Sequence, residues 1–116
     1  MSRRDDERLA DVIASAAAIA SHLDRGGLDD GLVFDAVRVR LIEIGEAVKD
    51  IDPERLADEP TVPWSDVAGM RDHLAHRYFD TAHSIVQATV DHDLPPLVAA
   101  AKRLLDGMSP ATDQNS

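Results

Sequence analysis

The sequence predicts an all-α protein, an up-and-down bundle of four to five helices. Apolar residues recur at three- and four-residue steps along most of the 116-residue chain, and no period-two alternation persists long enough to indicate a strand. Aromatic residues make up only 3% of the chain, so the predicted core is aliphatic. We predict one helical domain over residues 1–108 and a disordered tail over residues 109–116.

The first helix is predicted over Asp5–Arg25, where Gly26-Gly27 supplies a C-terminal stop. Its apolar stripe consists of Leu9, Val12, Ile13, Ala16, Ile19, Ala20 and Leu23. Asp29 or Asp30 can cap a second helix, which is predicted to run to about Ile51. The stripe of this second helix consists of Val33, Val37, Leu41, Ile44 and Val48.

The middle of the chain contains several proline signals. Asp52-Pro53 predicts a short helical turn with aspartate as the N-cap and proline in the first helical position. Residues 59–63 are predicted to form an extended connector, because a residue before proline is pushed out of helical geometry. A third helix is predicted from Pro63-Trp64 to about residues 77–79, with Asp66 near its positive end.

The last third of the chain predicts two more helices. Asp80 or Thr81 can cap a fourth helix, which runs to about Asp91. Residues 93–96, Asp-Leu-Pro-Pro, are predicted to break the chain and to start a fifth helix that ends near Gly107. The apolar stripe of this fifth helix consists of Leu97, Val98, Ala101, Leu104 and Leu105.

Bulk composition narrows the classes of function. The chain has no cysteine, which excludes disulfides and thiolate metal sites, and no apolar run of about 20 residues that would span a membrane. The charged N-terminus is unlike a signal peptide, so we expect a cytoplasmic protein. The net charge of −10 opposes general binding to nucleic acid. Any RNA-directed function therefore needs a local basic patch, an assembled site or a partner.

Residues 69–79, Gly-Met-Arg-Asp-His-Leu-Ala-His-Arg-Tyr-Phe, are the candidate site. Arginine clamps anionic oxygens and histidine transfers protons near neutral pH, so Arg71 and His76 together suit phosphate chemistry. On an ideal helix Arg71 and Tyr78 share a face, whereas His76 points roughly 140° away from Arg71. The three side chains therefore need a distorted helix end or a second chain to meet. The alternative reading makes Arg71 and His76 surface or capping residues and Tyr78 a packing residue.

Four sequence blocks resemble the HepT-like proteins of the HEPN superfamily. The blocks are Ile44-Gly45-Glu46-Ala47, Val62 to Asp72, His76-Arg77-Tyr78 and Asp93-Leu94-Pro95. Together they span most of residues 8–106 in the expected order. The short Arg-x4-His-x-Tyr signature is specific because it is joined to the Gly-Glu and Pro-Trp blocks.

The resemblance implies a HEPN-type bundle and a metal-independent ribonuclease toxin of a type VII-like toxin–antitoxin system, with no cofactor. It implies that Arg71 and His76 are the catalytic pair and that Asp72 supports them. It further implies that a minimal nucleotidyltransferase antitoxin of the MntA type attaches AMP to Tyr78. The alternative is a non-catalytic HEPN binding module that partners a nucleotidyltransferase.

The residues themselves support several expectations in addition to those that the resemblance implies. A twofold homodimer would set two motifs side by side, supplying base, acid and two arginines to bind the RNA substrate. Glu46, His73 and Arg77 are further candidates for the cleft, and Gly45 is expected to let two helices approach closely. No repeated Glu-x-x-His pair occurs, so no metal site is predicted. For Arg38 and Arg40, a solvated helix face and an extension of the RNA surface both remain open.

Overall fold

The computed structural model describes residues 3–75 and 79–108 of the chain. These two ranges contain helices and turns but no strand, which confirms the predicted all-α class. A π-helical turn, Thr89–Asp93, connects the last two of seven α-helices. The α-helices are α1 (Arg3–Leu23), α2 (Gly31–Lys49), α3 (Pro53–Leu56), α4 (Trp64–Ala68), α5 (Met70–Ala75), α6 (Phe79–Ala88) and α7 (Leu94–Met108). The predicted tail over residues 109–116 lies outside the described ranges, and the domain boundary stays a prediction.

Contacts at one end of the bundle show how the long helices are oriented. The Asp52 backbone N–H donates to Asp5 Oδ1 at 3.3 Å, so the start of α1 lies beside the end of α2. Arg55 Nη2 donates to Leu104 O at 3.1 Å, so the end of α7 reaches the same level. Helix α1 is therefore antiparallel to both α2 and α7.

The remaining helices complete the up-and-down arrangement. His83 Nε2 lies 3.1 Å from Leu28 O, so α6 begins at the end of the bundle that holds the α1–α2 loop. Helices α4 and α5 return along α2, because Gly45 faces Val67 of α4 and Arg38 reaches Leu74 of α5. The chain thus runs up α1, down α2, up α4 and α5, and down α6 and α7.

Two aspartates cap helices as the sequence predicts. Asp30 Oδ1 accepts hydrogen bonds from the backbone N–H groups of Leu32 at 2.9 Å and Val33 at 3.4 Å. Asp52 Oδ1 accepts from the Glu54 N–H at 3.0 Å, with proline in the first turn of α3. Both side chains satisfy donors that a helix N-terminus leaves without an intrahelical partner.

The predicted extended connector over residues 59–63 is wrong, because the segment folds into successive turns. The Glu59 N–H donates to Leu56 O at 3.0 Å, and the Val62 N–H donates to Glu59 O at 3.3 Å. The indole Nε1 of Trp64 also donates to Glu59 O, at 3.0 Å. Proline is compatible with turns as well as with extended backbone, and these hydrogen bonds favour the turn.

The predicted third helix is not continuous, since the structure divides it at Gly69 into α4 and α5. Gly69 has φ −82° and ψ 4° and donates to Ser65 O at 3.1 Å, which closes α4. Glycine disfavours a helix interior because it loses more backbone entropy there than other residues. The predicted cap at Asp80 or Thr81 is also wrong, because both residues lie inside α6.

The predicted break at residues 93–96 is wrong as well, because the helix continues from α6 into α7. The Leu94 N–H donates to Thr89 O, five residues back, as in a π-helix. Pro95 and Pro96 have no N–H to donate, and the wider turn before them accommodates the lost hydrogen bonds. At the start of the π-helical turn, Thr89 Oγ1 donates to Ile85 O of α6 at 2.7 Å.

The core is built mainly from α1, α2, α5, α6 and α7. The largest side chains that are fully removed from solvent are Leu9, Val12, Ile19, Val37, Leu41, Ile44, Leu74 and Val86. The stripes predicted for the first two helices supply all of the first six of these residues, and Leu74 comes from the candidate stretch itself. Within the described ranges, no helix is long and apolar enough to cross a membrane.

Candidate functional site

Helix α5 presents three consecutive candidate residues to solvent. Met70 and Leu74 are buried, at 9% and 0% exposure, and fix which face of α5 packs on the core. Arg71, Asp72 and His73 between them are all exposed. The rest of the predicted motif, His76, Arg77 and Tyr78, lies outside the described residues. The assigned roles of these three residues, including any distorted helix end near His76, stay predictions.

Gly45 of α2 sets the position of the α4–α5 segment. A Cβ atom added to Gly45 would lie 2.7 Å from Val67 O and 3.0 Å from Met70 Cβ. A contact of 2.7 Å with a backbone oxygen is too short for a carbon atom, so only glycine fits at this crossing. The expectation that Gly45 permits a close helix approach is confirmed.

Arg38 holds the other end of α5. Its Nη1 donates to Leu74 O at 3.1 Å, and the arginine side chain is half-buried. The two residues are 36 positions apart, so no local pattern predicts the contact. Arg40, the other arginine of this pair, instead donates to Glu43 Oε1 at 2.9 Å within α2. Sequence reasoning considered Arg38 but missed its partner.

Arg71 differs from most of the other described arginines because its guanidinium has no partner among the residues that the structure describes. The Arg71 side chain makes no hydrogen bond or ion pair with any residue in the described ranges. Of the other arginine side chains that the structure describes, those bonded to a carboxylate or a carbonyl are Arg4, Arg8, Arg38, Arg40, Arg55 and Arg103. A guanidinium has five N–H donors in a planar fork that matches phosphate oxygens. Arg71 thus offers an anion-binding group on an acidic protein.

His73 and Arg71 lie on opposite flanks of α5. His73 follows Arg71 by two residues, and on a helix this spacing makes the directions of the two side chains differ by roughly 160°. His73 lines a groove of about 550 Å³ between α4, α5 and the start of α7, together with Asp66, Asp93 and Leu97. Arg71 does not line this groove, so the groove and the exposed guanidinium are separate surface features.

Glu46 follows Gly45 on α2 and is exposed. Its Oε2 lies 3.6 Å from Lys49 Nζ, one helical turn later. Gly45 faces α4 and α5, whereas Glu46 lines a surface groove between α1 and α2 together with Arg8 and Asp11. No described residue of α4 or α5 lines that groove, and the role of Glu46 in a cleft with the candidate stretch stays a prediction.

The supporting role of Asp72 and the absence of a metal site also stay predictions. Asp72 is exposed on α5, and its proposed partner His76 lies outside the described residues. In residues 3–75 and 79–108, no three His, Asp or Glu side chains are grouped so that they could hold a metal ion.

A protein-family model matches most of this chain. The model described as "Ribonuclease HepT-like" matches residues 9–104, a span that includes α2, the Gly45 crossing, α5 and most of α7. No solved structure matches the chain.

Several curated relatives match the same region. "Putative RNase TTE0752" of Caldanaerobacter subterraneus subsp. tengcongensis is 41% identical over 58% of this chain and 61% of its own length. "Probable ribonuclease HepT" of Thermococcus cleftensis is 37% identical over 57% of this chain and 61% of its own length. "Putative RNase MJ1216" of Methanocaldococcus jannaschii is 34% identical over 67% of this chain and 64% of its own length. The matches thus span less than two thirds of these relatives.

Proposed function

Because the chain belongs to the Ribonuclease HepT-like family over residues 9–104, we propose that it is a metal-independent endoribonuclease. On the chain itself, the observation that supports this proposal is the exposed side chain of Arg71. Its guanidinium is exposed within the matched region and has no partner among the described residues. A phosphate of RNA is the anion that a ribonuclease must hold.

The proposed reaction uses the 2′-hydroxyl of RNA as the nucleophile. The 2′-oxygen forms a bond to phosphorus, the bond from phosphorus to the 5′-oxygen breaks, and a 2′,3′-cyclic phosphate and a 5′-hydroxyl result. A base takes the proton of the 2′-hydroxyl, and an acid gives a proton to the departing 5′-oxygen. Arg71 holds the non-bridging oxygens as negative charge develops on them. His76 transfers protons, and Asp72 orients its imidazole.

A twofold homodimer completes this proposed site. One His76 cannot act as base and acid in the same step, whereas two motifs side by side supply both groups. They also place two Arg71 side chains together, which creates a basic cleft on a chain of net charge −10. Leu32 and Val39, exposed at 83% and 50%, supply apolar surface on α2 that a second copy would cover.

The proposed regulation is that of a toxin held in check by an antitoxin. An MntA-type nucleotidyltransferase would transfer AMP from ATP to the phenolic oxygen of Tyr78, releasing pyrophosphate. On an ideal helix Tyr78 and Arg71 share a face, so the added phosphate would occupy the region that receives the RNA phosphate. The modification adds negative charge and bulk in one step.

A second candidate function is a non-catalytic binding module that partners a nucleotidyltransferase. The net charge of −10 favours it, as does the pairing of Arg4, Arg8, Arg40 and Arg103 with carboxylates. A protein of this charge distribution has weak general attraction for RNA.

Cleavage of RNA by the purified protein in excess chelator distinguishes the two functions. We expect products that end in a 2′,3′-cyclic phosphate and a 5′-hydroxyl. Arg71→Ala should lower kcat by about 10²–10³-fold, the usual effect of removing one group that stabilises a developing oxyanion. His76→Ala should abolish cleavage.

Arg25→Ala is the matched control for Arg71→Ala. Arg25 is also exposed, and its guanidinium also lacks a partner among the described residues. Cleavage that is absent from the wild type, or that persists unchanged in both Arg71→Ala and His76→Ala, rejects the catalytic function and leaves the binding module.

A further inference from the structure

The contact between Arg38 and Leu74 joins two helices in the middle of the candidate stretch. Arg38 Nη1 donates to Leu74 O at 3.1 Å from a half-buried position on α2. The Leu74 side chain is 0% exposed, so the same residue is held by the core and by the arginine. A hydrogen bond from a charged donor is stronger than one between neutral groups, particularly where solvent is partly excluded.

Two contacts hold the described part of α5, Met70–Ala75, against the bundle. Its first residue, Met70, is fixed at the Gly45 crossing, and its fifth residue, Leu74, is fixed by the core and by Arg38. Arg71 lies between these two anchors.

We propose that Arg38 is a positioning residue for the reaction, a role that rests on the proposed ribonuclease function. By holding Leu74 O, Arg38 fixes the rotation of α5 about its axis. That rotation determines where the Arg71 guanidinium points, and Leu74 is also the fixed point from which the chain continues towards His76. A displacement of about 1 Å in a catalytic group can cost about 10²-fold in rate.

The competing role for Arg38 is direct contact with an RNA phosphate. The two roles make different kinetic predictions. A lost phosphate contact raises KM and lowers the slope of log affinity against log salt concentration by about 0.7–0.9. A lost positioning contact lowers kcat and leaves both KM and the salt slope unchanged, because the guanidinium does not touch the substrate.

Arg55 supplies a matched control for the structural effect of losing such a hydrogen bond. Its Nη2 donates to Leu104 O at 3.1 Å, also from a half-buried position on another helix. This contact lies at the opposite end of the bundle, away from α5. Arg55→Ala therefore removes the same kind of hydrogen bond without disturbing Arg71.

The kinetic test compares Arg38→Ala, Arg38→Lys and Arg55→Ala in chelator. We expect Arg38→Ala to lower kcat by about tenfold or more with KM unchanged within a factor of two. Lysine retains a donor of similar reach, so Arg38→Lys should recover part of the lost kcat. Arg55→Ala should keep the wild-type kcat. Equal losses of kcat in Arg38→Ala and Arg55→Ala, or a raised KM with a lower salt slope in Arg38→Ala, would overturn the proposal.

Amide hydrogen exchange tests the anchoring without relying on activity. We expect residues 70–75 to exchange at least several-fold faster in Arg38→Ala than in the wild type or in Arg55→Ala. If the wild type cleaves no RNA, the proposed function fails and the positioning role of Arg38 fails with it. If cleavage occurs but exchange over residues 70–75 is the same in all three proteins, that role is overturned while the ribonuclease function stands.

Discussion

Gly45 lies against the backbone of Val67 where α2 crosses the segment that carries Arg71. A Cβ atom on Gly45 would lie 2.7 Å from the Val67 carbonyl oxygen, and Arg71 is four residues further along the chain. Because the obstructing atom belongs to the backbone, a side-chain rotation cannot relieve the clash. The position of Arg71 on the bundle therefore depends on the absence of a side chain at Gly45.

Gly45→Ala should destabilise the fold and impair cleavage together. Overpacking costs about 1–3 kcal/mol, and the better helix propensity of alanine offsets up to about 1 kcal/mol, so we expect a net loss of about 1–2 kcal/mol. Thermal and urea unfolding followed by circular dichroism measure it. The control is Gly107→Ala in α7, where an added Cβ meets no atom within 4 Å. Gly107→Ala should be neutral or stabilising, and an equal response of both variants would refute the steric argument.

Local chemistry explains which parts of the fold the sequence could predict. Asp30 and Asp52 cap helices as predicted, because the capping interaction involves backbone groups only two or three residues away. The apolar stripes predict the buried faces of α1 and α2, because burial follows directly from helical periodicity.

Apart from the cap at Asp80 or Thr81, the wrong predictions concern proline and glycine, whose effects depend on the partners that the fold supplies. Pro95 and Pro96 were expected to break the helix, but a π-helical turn accommodates their missing donors. The segment around Pro60 folds into turns because Trp64 and Val62 both donate to Glu59 O. At the candidate site, the Arg38 contact joins residues 36 positions apart, and no sequence period encodes such a contact.

The ion pair between Glu59 and Arg103 predicts a pH dependence of stability. Arg103 Nη2 and Nε donate to the two carboxylate oxygens of Glu59 at 2.6 Å and 3.0 Å, joining the connector to α7. These hydrogen bonds lower the pKa of the Glu59 carboxyl below its usual value of 4.5. Since the folded-state pKa lies below the unfolded-state pKa, the pair's contribution is complete above about pH 4.5. It is lost as the pH falls through the lowered pKa.

Glu59→Gln should therefore lower the Tm slightly at pH 7, and its difference from the wild type should shrink as the pH falls below 4.5. Thermal unfolding of both proteins over a pH series measures the effect. Glu7→Gln is the control, because Glu7 is exposed and forms no ion pair with a described residue. A Glu59→Gln difference that stays constant down to the acid transition would contradict the assignment.

Modification of Tyr78 tests the proposed antitoxin regulation. Incubation with ATP and a minimal nucleotidyltransferase of the MntA type should increase the intact mass by one or more AMP groups and abolish cleavage, because the added phosphate repels the RNA phosphate. The chain has a single tyrosine, so Tyr78→Phe removes its only phenol. The variant should gain no AMP and should keep cleaving in the presence of the enzyme. AMP addition that persists in Tyr78→Phe excludes this tyrosine as the acceptor.

The exposed apolar residues of α2 test the proposed homodimer. Leu32 and Val39 are seven residues apart, so they project from nearly the same face of α2, at 83% and 50% exposure. Sedimentation velocity should show a dimer for the wild type. The double substitution Leu32→Glu and Val39→Glu should shift it to a monomer and lower cleavage per chain by about tenfold or more. Its far-UV circular dichroism should be unchanged, because neither side chain belongs to the core.

Added charge alone must be separated from lost contact at this face. The double substitution Ala10→Glu and Ala99→Glu adds the same two charges at exposed positions of α1 and α7. If a general repulsion of RNA by the added charge were the cause, the Ala10 and Ala99 variant would lose cleavage as well, since both variants change the net charge equally. If the α2 face forms the dimer, only the Leu32 and Val39 variant loses both the dimer and the activity. A wild-type protein that cleaves RNA as a monomer would reject the composite site and would require each chain to supply base and acid by itself.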